Sequence, residues 1–174
     1  MSSAQPEHVS PWRIRRANDA DLDILCYHRC AMFRDMGYED AATLDPIDTG
    51  FCEWVQPRLA QGEYLAWVAE VGDDGDSEII AGAGLWLMPW PPHLVGPDKP
   101  RANIVNVYTE AAYRRRGIAR QLVQTLLAWC RQEELTTVIL HASEEGRGLY
   151  EELGFKTTAE MILDLTDPES SESR

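Results

Sequence analysis

Positive charge is scarce in this sequence: 16 Lys+Arg stand against 29 Asp+Glu, giving a formal net charge of −13. A polyanion needs a basic footprint, so a nucleic-acid partner is excluded as the expectation. An anionic membrane surface is disfavoured for the same reason. Such a skin of acid suits a cationic or amine-bearing partner, or serves solubility alone. Long apolar runs are also missing. None approaches the roughly 20 residues of a membrane span. The longest nearly apolar run, Ile79 to Trp90, is broken by Gly82, Gly84 and Pro89 and reads as a buried strand. Met1 to Pro11 has no basic patch followed by an apolar core, so no signal peptide is expected.

Cysteine is sparse too, at four residues: Cys26, Cys30, Cys52 and Cys130. Cys26 and Cys30 lie one helical turn apart, but no second pair stands at zinc-finger spacing, so no metal is expected. The expectation is four reduced thiols in a cytoplasmic protein. The two well-known phosphate loops are absent: there is no Gly-rich run ending in Lys-Ser/Thr and no triple-glycine dinucleotide fingerprint.

What remains is ordinary globular composition, 44% hydrophobic and 26% charged over 174 residues, enough for one domain with a real core. That domain is expected over residues 1–166, with 1–10 a loose N-terminal segment and 167–174 a disordered acidic tail that cannot repay its ordering entropy.

Periodicity gives the elements. Trp12 to Arg15 reads as a first strand, and Ala20 to Met36 as a helix capped by Asn18 or Asp19 and ended by Gly37. A second helix is expected over Asp45 to Gln61, its course complicated by Pro57. Tyr64 to Val71 and Glu78 to Leu87 form a hairpin across the Gly72 to Asp76 turn. Met88 to Pro100 is a proline-rich loop. Ala102 to Thr109 is a strand and Arg116 to Glu134 the strongest helix, with Ile118, Leu122, Leu126 and Cys130 in one apolar row. Then come a strand at Thr136 to His141, a short helix at Gly148 to Leu153, and last strand material within Phe155 to Leu165. This order means mixed α/β with a partly parallel sheet.

The stretch that carries chemistry is Asn103 to Phe155. A strand runs through Thr109 to Tyr113 into Arg114-Arg115-Arg116-Gly117-Ile118-Ala119, where the long helix begins. A helix N-terminus offers unpaired peptide N–H groups and partial positive charge. Gly117 lets an anion approach with no Cβ in the way. Cations are disfavoured at such a point, so the arginines call for something anionic there, and a pyrophosphate would serve. Alone, Arg-x-x-Gly-x-Ala is not a specific pattern. A second piece follows: Leu149-Tyr150-Glu151-Glu152-Leu153-Gly154-Phe155.

Together these two motifs resemble the GNAT superfamily of N-acetyltransferases: the first matches its Arg/Gln-x-x-Gly-x-Gly/Ala loop, the second its Leu-Tyr-x-x-x-Gly-Phe helix. The match is tight over about the last two-fifths of the chain. The resemblance implies an α/β fold whose mixed central sheet, flanked by helices, splays between its fourth and fifth strands. It implies acetyl-CoA as cosubstrate and no metal. It places the pyrophosphate loop on Arg114, Arg115, Arg116, Gly117, Ile118 and Ala119, with the backbone N–H groups of Arg115 to Ala119 as donors. It places the pantetheine strand on Val107, Tyr108 and Thr109, and a pantetheine contact on Ser143. Tyr150 matches the tyrosine that often protonates the departing thiolate.

The implied reaction is attack of a neutral amine on the thioester, with a backbone N–H near Tyr108 as oxyanion donor. The residues leave the general base open among Glu110, His141 and Asn106, with Glu110 preferred, although Asn106 cannot take a proton at neutral pH. His28 reads as a solvated or capping residue. Trp54, Trp86, Trp90 and His93 are candidates for the acceptor wall, Trp86 more as core. The acceptor is expected to be an amine, small molecule or protein, and exposed strand ends are compatible with a homodimer. A non-catalytic acyl-CoA sensor, a transferase of another acyl group, and a toxin acetylating aminoacyl-tRNA are the competing readings. The net charge weakens the last.

Overall fold

The computed structural model describes residues 11–161 apart from 39, 74 and 93–98. The expected tail, the whole of the loose N-terminal segment and His93 lie outside the described residues. Two compact units divide after His141.

The first unit is built on one five-stranded sheet in the order β1 to β5. The strands are β1 (Arg13–Arg16), β2 (Tyr64–Val71), β3 (Glu78–Met88), β4 (Arg101–Thr109) and β5 (Val138–Leu140). The first four pair antiparallel, β2 and β3 across a short turn. β5 runs parallel to β4 because a helix, α3 (Ile118–Gln132), intervenes. Two more helices, α1 (Leu22–Asp35) and α2 (Ala41–Gln61), separate β1 from β2.

Alternation along β2 sorts its side chains to two faces. Tyr64, Ala66 and Val68 join Leu25 of α1 and Phe51 and Val55 of α2 in one core cluster. Trp67 points the other way and meets Trp129 of α3 at 5.9 Å between ring centroids. α3 buries Ile118, Leu122, Val123, Leu126 and Cys130, the apolar row that the sequence shows. β1 is fixed at the edge by charge. Arg13 and Arg15 both donate to the buried Glu70 carboxylate, and Arg15 also grips Asp21 with two bonds of 2.7 and 2.8 Å. These bonds hold the Asp21 carboxyl below its ordinary range.

Four expectations need correction. α2 begins at Ala41, four residues before the expected Asp45, because the Asp40 carboxylate caps it by accepting from the Ala42 amide. Cys26 of α1 and Cys52 of α2 are joined in a disulfide, with Cα atoms 5.7 Å apart, so only Cys30 and Cys130 are free. Sequence spacing could not show it, since it depends on α2 folding back along α1; it also removes the cysteine argument for a reducing compartment. In the second unit α4 (Glu144–Glu152) starts at a Ser143 cap, four residues before the expected Gly148. Residues 155–161 form no strand, and the rest of the expected last strand lies outside the described residues.

Glycines on β3 make room for large side chains on the α1/α2 face. A Cβ at Gly84 would lie 1.8 Å from the Tyr64 hydroxyl, and one at Gly82 would lie 2.9 Å from His28 Nδ1. Gly84→Ala is therefore expected to destabilise the protein by about 1–3 kcal/mol through overpacking, read as a lower urea midpoint at unchanged slope. An unchanged midpoint would show that Tyr64 does not lie over this strand.

Candidate active site

The turn before α3 is open. Gly117 is its N-cap at φ +87° and supplies no side-chain cap bond. Arg115 also has positive φ, at 62°. Among the described residues the peptide N–H groups of residues 115–119 find no acceptor. The first intrahelical bond comes later, from Gln121 to the Gly117 carbonyl at 3.1 Å. A Cβ at Gly117 would meet nothing within 4 Å, so it is the backbone conformation that calls for glycine there. This cradle of acceptorless amides fits a diphosphate.

The arginines behave differently from one another. Arg114 pairs with Asp35 of α1 and donates from Nε to the Thr109 carbonyl at 2.8 Å. Arg116 donates back to the Ala112 carbonyl at 2.9 Å. Both are thereby turned onto the protein, so part of the charge that seemed to require a ligand is answered by Asp35. Arg115 makes no hydrogen bond or ion pair among the described residues.

Beside this turn β4 parts from β5. Their pairing spans only Ala102 to Ile104 against Val138 to Leu140. On its other edge β4 carries a bulge: Val105 faces Gly84 and Tyr108 faces Gly82, leaving Asn106 and Val107 opposite Ala83. Asn106 sits in the left-handed region at φ 55°. The bulge turns both Val105 and Asn106 to the α1/α2 face. Val105 packs on the core cluster there, and Asn106 bonds Arg29 of α1 and Tyr64 of β2 at 2.7 and 3.2 Å. Val107, Tyr108 and Thr109 follow, past the last β5 pairing.

Glu110 closes the strand. Its amide donates to the Ile80 carbonyl at 2.9 Å, fixing the backbone, while its side chain stays a quarter exposed. Around the carboxylate gather Tyr108, whose hydroxyl is 3.5 Å from Oε2, and His28, whose Nε2 is 3.9 Å from Oε1. Its charge is also the main reason that the Tyr27 phenol is pushed up. The reading of His28 as solvated or capping is overturned: it is 1% exposed, and neither ring nitrogen has a partner among the described residues. Burial pushes it down to about 4. It is therefore neutral at pH 7. His141 is exposed and makes no hydrogen bond or ion pair among the described residues.

In the second unit the Ser143 hydroxyl accepts from the Gly146 amide at 3.2 Å, so its oxygen caps α4 and only its O–H is left to give. Tyr150 is half-buried, edge-on to Phe155 at 5.9 Å, and burial pushes its phenol up. Trp54 and Trp86 meet edge-to-face at 5.2 Å against the core, whereas Trp90 is exposed beneath the Arg101 guanidinium. Among the described residues no cluster of His, Cys, Asp or Glu could hold a metal, and no helix is long and apolar enough to cross a membrane.

The acetyltransferase (GNAT) family model matches residues 26–155, and the chain belongs to this family. It is similar in structure to a GCN5-related N-acetyltransferase from Ralstonia eutropha JMP134, at 35% identity and TM-score 0.79, covering 90% of this chain and 99% of that one. It is also similar to a predicted acetyltransferase from Clostridium acetobutylicum solved with acetyl-CoA, at 28% identity and TM-score 0.78, covering 88% and 96%. No curated protein matches the sequence. The expected fold, a mixed sheet flanked by helices and parting between its fourth and fifth strands, is the fold observed.

His28 gives this site a measurable pH signature. Its folded pKa, about 4, lies below the ordinary 6.5, so the unfolded chain binds more protons between those values. Stability is therefore expected to fall by about 3 kcal/mol as pH drops from 6.5 to 4. Denaturant midpoints across this range should slope in the wild type and be flatter in His28→Gln. Equal slopes would place the titration elsewhere.

Proposed function

We propose that this protein is an acetyl-CoA-dependent N-acetyltransferase that moves the acetyl group directly to a primary amine. The observation that carries the reading is the run of acceptorless amides at residues 115–119, beside a strand that has left its neighbour. Family membership supports acyl transfer, and a similar chain solved with acetyl-CoA supports the donor.

Acetyl-CoA supplies an activated thioester. The amides of residues 115–119 hold its diphosphate, with Arg114, Arg115 and Arg116 at the rim. Val107, Tyr108 and Thr109 offer strand edges to the pantetheine amides, and Ser143 keeps an O–H for the same arm. Glu110 takes the proton that the amine loses on attack; the buried Tyr108 and His28 beside it limit its contact with water. The Tyr108 N–H faces the developing oxyanion. Tyr150 donates its phenolic proton to the departing sulfur. Its raised pKa keeps it protonated at neutral pH, ready for that step. No covalent enzyme intermediate is needed.

Thiol release with acetyl-CoA and a panel of amines tests this reading. Tyr150→Phe should lower kcat about 10²-fold or more, with little change in KM for acetyl-CoA. Gly117→Ala should weaken acetyl-CoA binding at least about tenfold in calorimetry, at a stability cost of about 1–2 kcal/mol for the left-handed φ. Binding without turnover of any amine would instead support an acyl-CoA sensor. Preference for a longer acyl thioester would support another acyl donor.

A further inference from the structure

Among the described residues, Arg29 is a cation with no carboxylate at ion-pair distance. Its guanidinium lies between two rings of the α1/α2 layer, 4.6 Å from the Phe51 centroid and 4.9 Å from that of Phe33. Nη1 donates to Asn106 Oδ1 at 2.7 Å, and Asn106 is held from its other end by Tyr64. Nε is sealed from solvent and has no acceptor. No carboxylate among the described residues reaches ion-pair distance; Asp48 acts on it only from farther away. Arg15 is a useful contrast. Asp21 and Glu70 both pair with it. Among the described residues this half-buried guanidinium is left unmatched by any acid. A charge taken out of water costs free energy unless a counter-charge meets it.

The position matters as much as the charge. Asn106 is the bulge residue, two places beyond Ile104, where β4 loses β5. The bulge turns its amide toward α1, so Arg29 is fixed against the strand on which the thioester would be held. We propose that Arg29 is a specificity-determining residue that binds a carboxylate on the acceptor, so that the preferred substrates are amines carrying a carboxylate, such as amino acids and short peptides. This rests on the acetyltransferase reading above. A guanidinium matches a planar carboxylate in shape as well as charge. Tyr64 and Asn106 limit its freedom before any ligand arrives, which reduces the entropy lost on binding.

The experiment uses the full chain with acetyl-CoA and matched acceptors: an amino acid, its carboxamide, its decarboxylated amine, and an aminoalkyl phosphate. Thiol-release rates and equilibrium binding to the acetyl-CoA complex are read side by side. The acid should exceed its carboxamide about 10- to 100-fold in kcat/KM, the range of one charge-assisted hydrogen bond. Arg29→Met should bring that ratio close to one, and Arg29→Lys should keep it above one. A ratio of one or less in the wild type overturns the proposal, as does a ratio unchanged in Arg29→Met. If circular dichroism shows that Arg29→Met does not fold, the wild-type ratio and Arg29→Lys decide. A phosphate-bearing amine that outruns the acid overturns the carboxylate assignment. Absence of turnover with acetyl-CoA bound would condemn the catalytic reading, while equal affinities for acid and carboxamide would condemn the carboxylate.

Discussion

Peptide groups that leave a sheet must be answered by something else. β4 keeps β5 for three residues and then goes on without it, and a bulge frees two more positions on its other edge. A few residues later the chain enters α3 through a turn whose amides have no acceptor among the described residues. In a folded protein, backbone donors left open along one continuous path mark where a ligand's own amides and phosphates can complete the pattern. The rest of the first unit keeps that path open. The β1–β3 layer is a tightly paired antiparallel platform, and α3 anchors the turn through a fully apolar face.

The second element of the design is the crowded face between β3, β4 and α1. Gly82 and Gly84 give up their side chains so that His28 and Tyr64 can lie flat over the strand. Tyr64 then reaches Asn106, Asn106 reaches Arg29, and His28 stands beside Glu110. Polar groups this close to a core are expensive unless they are satisfied or used. The His28 nitrogens and the Arg29 Nε, without hydrogen-bond partners among the described residues, lie on this one face, next to the strand that carries the proposed chemistry.

Much of this was legible in the sequence. The row Ile118, Leu122, Leu126 and Cys130 announces α3, and Arg114 to Ala119 announces the turn ahead of it, because both depend only on local spacing. The hairpin is equally local. What could not be read depends on contacts distant in sequence. The disulfide needs α2 to fold back on α1. The burial of His28 needs Gly82, 54 positions away in the chain. Arg29 looks like any helix-surface arginine until Asn106 and the two phenylalanines surround it. Two local signals were also passed over: Asp40 ahead of α2, and Ser143 followed by Glu144 and Glu145 ahead of α4, are ordinary N-cap patterns.

The central claim is that peptide N–H groups opening α3 grip the diphosphate of acetyl-CoA. Amide NMR of the ¹⁵N-labelled protein during titration with acetyl-CoA tests it most directly. The account predicts saturable shifts that are largest at residues 115–119 and extend to 107–109. Tight binding that leaves these amides unmoved while others shift would contradict it.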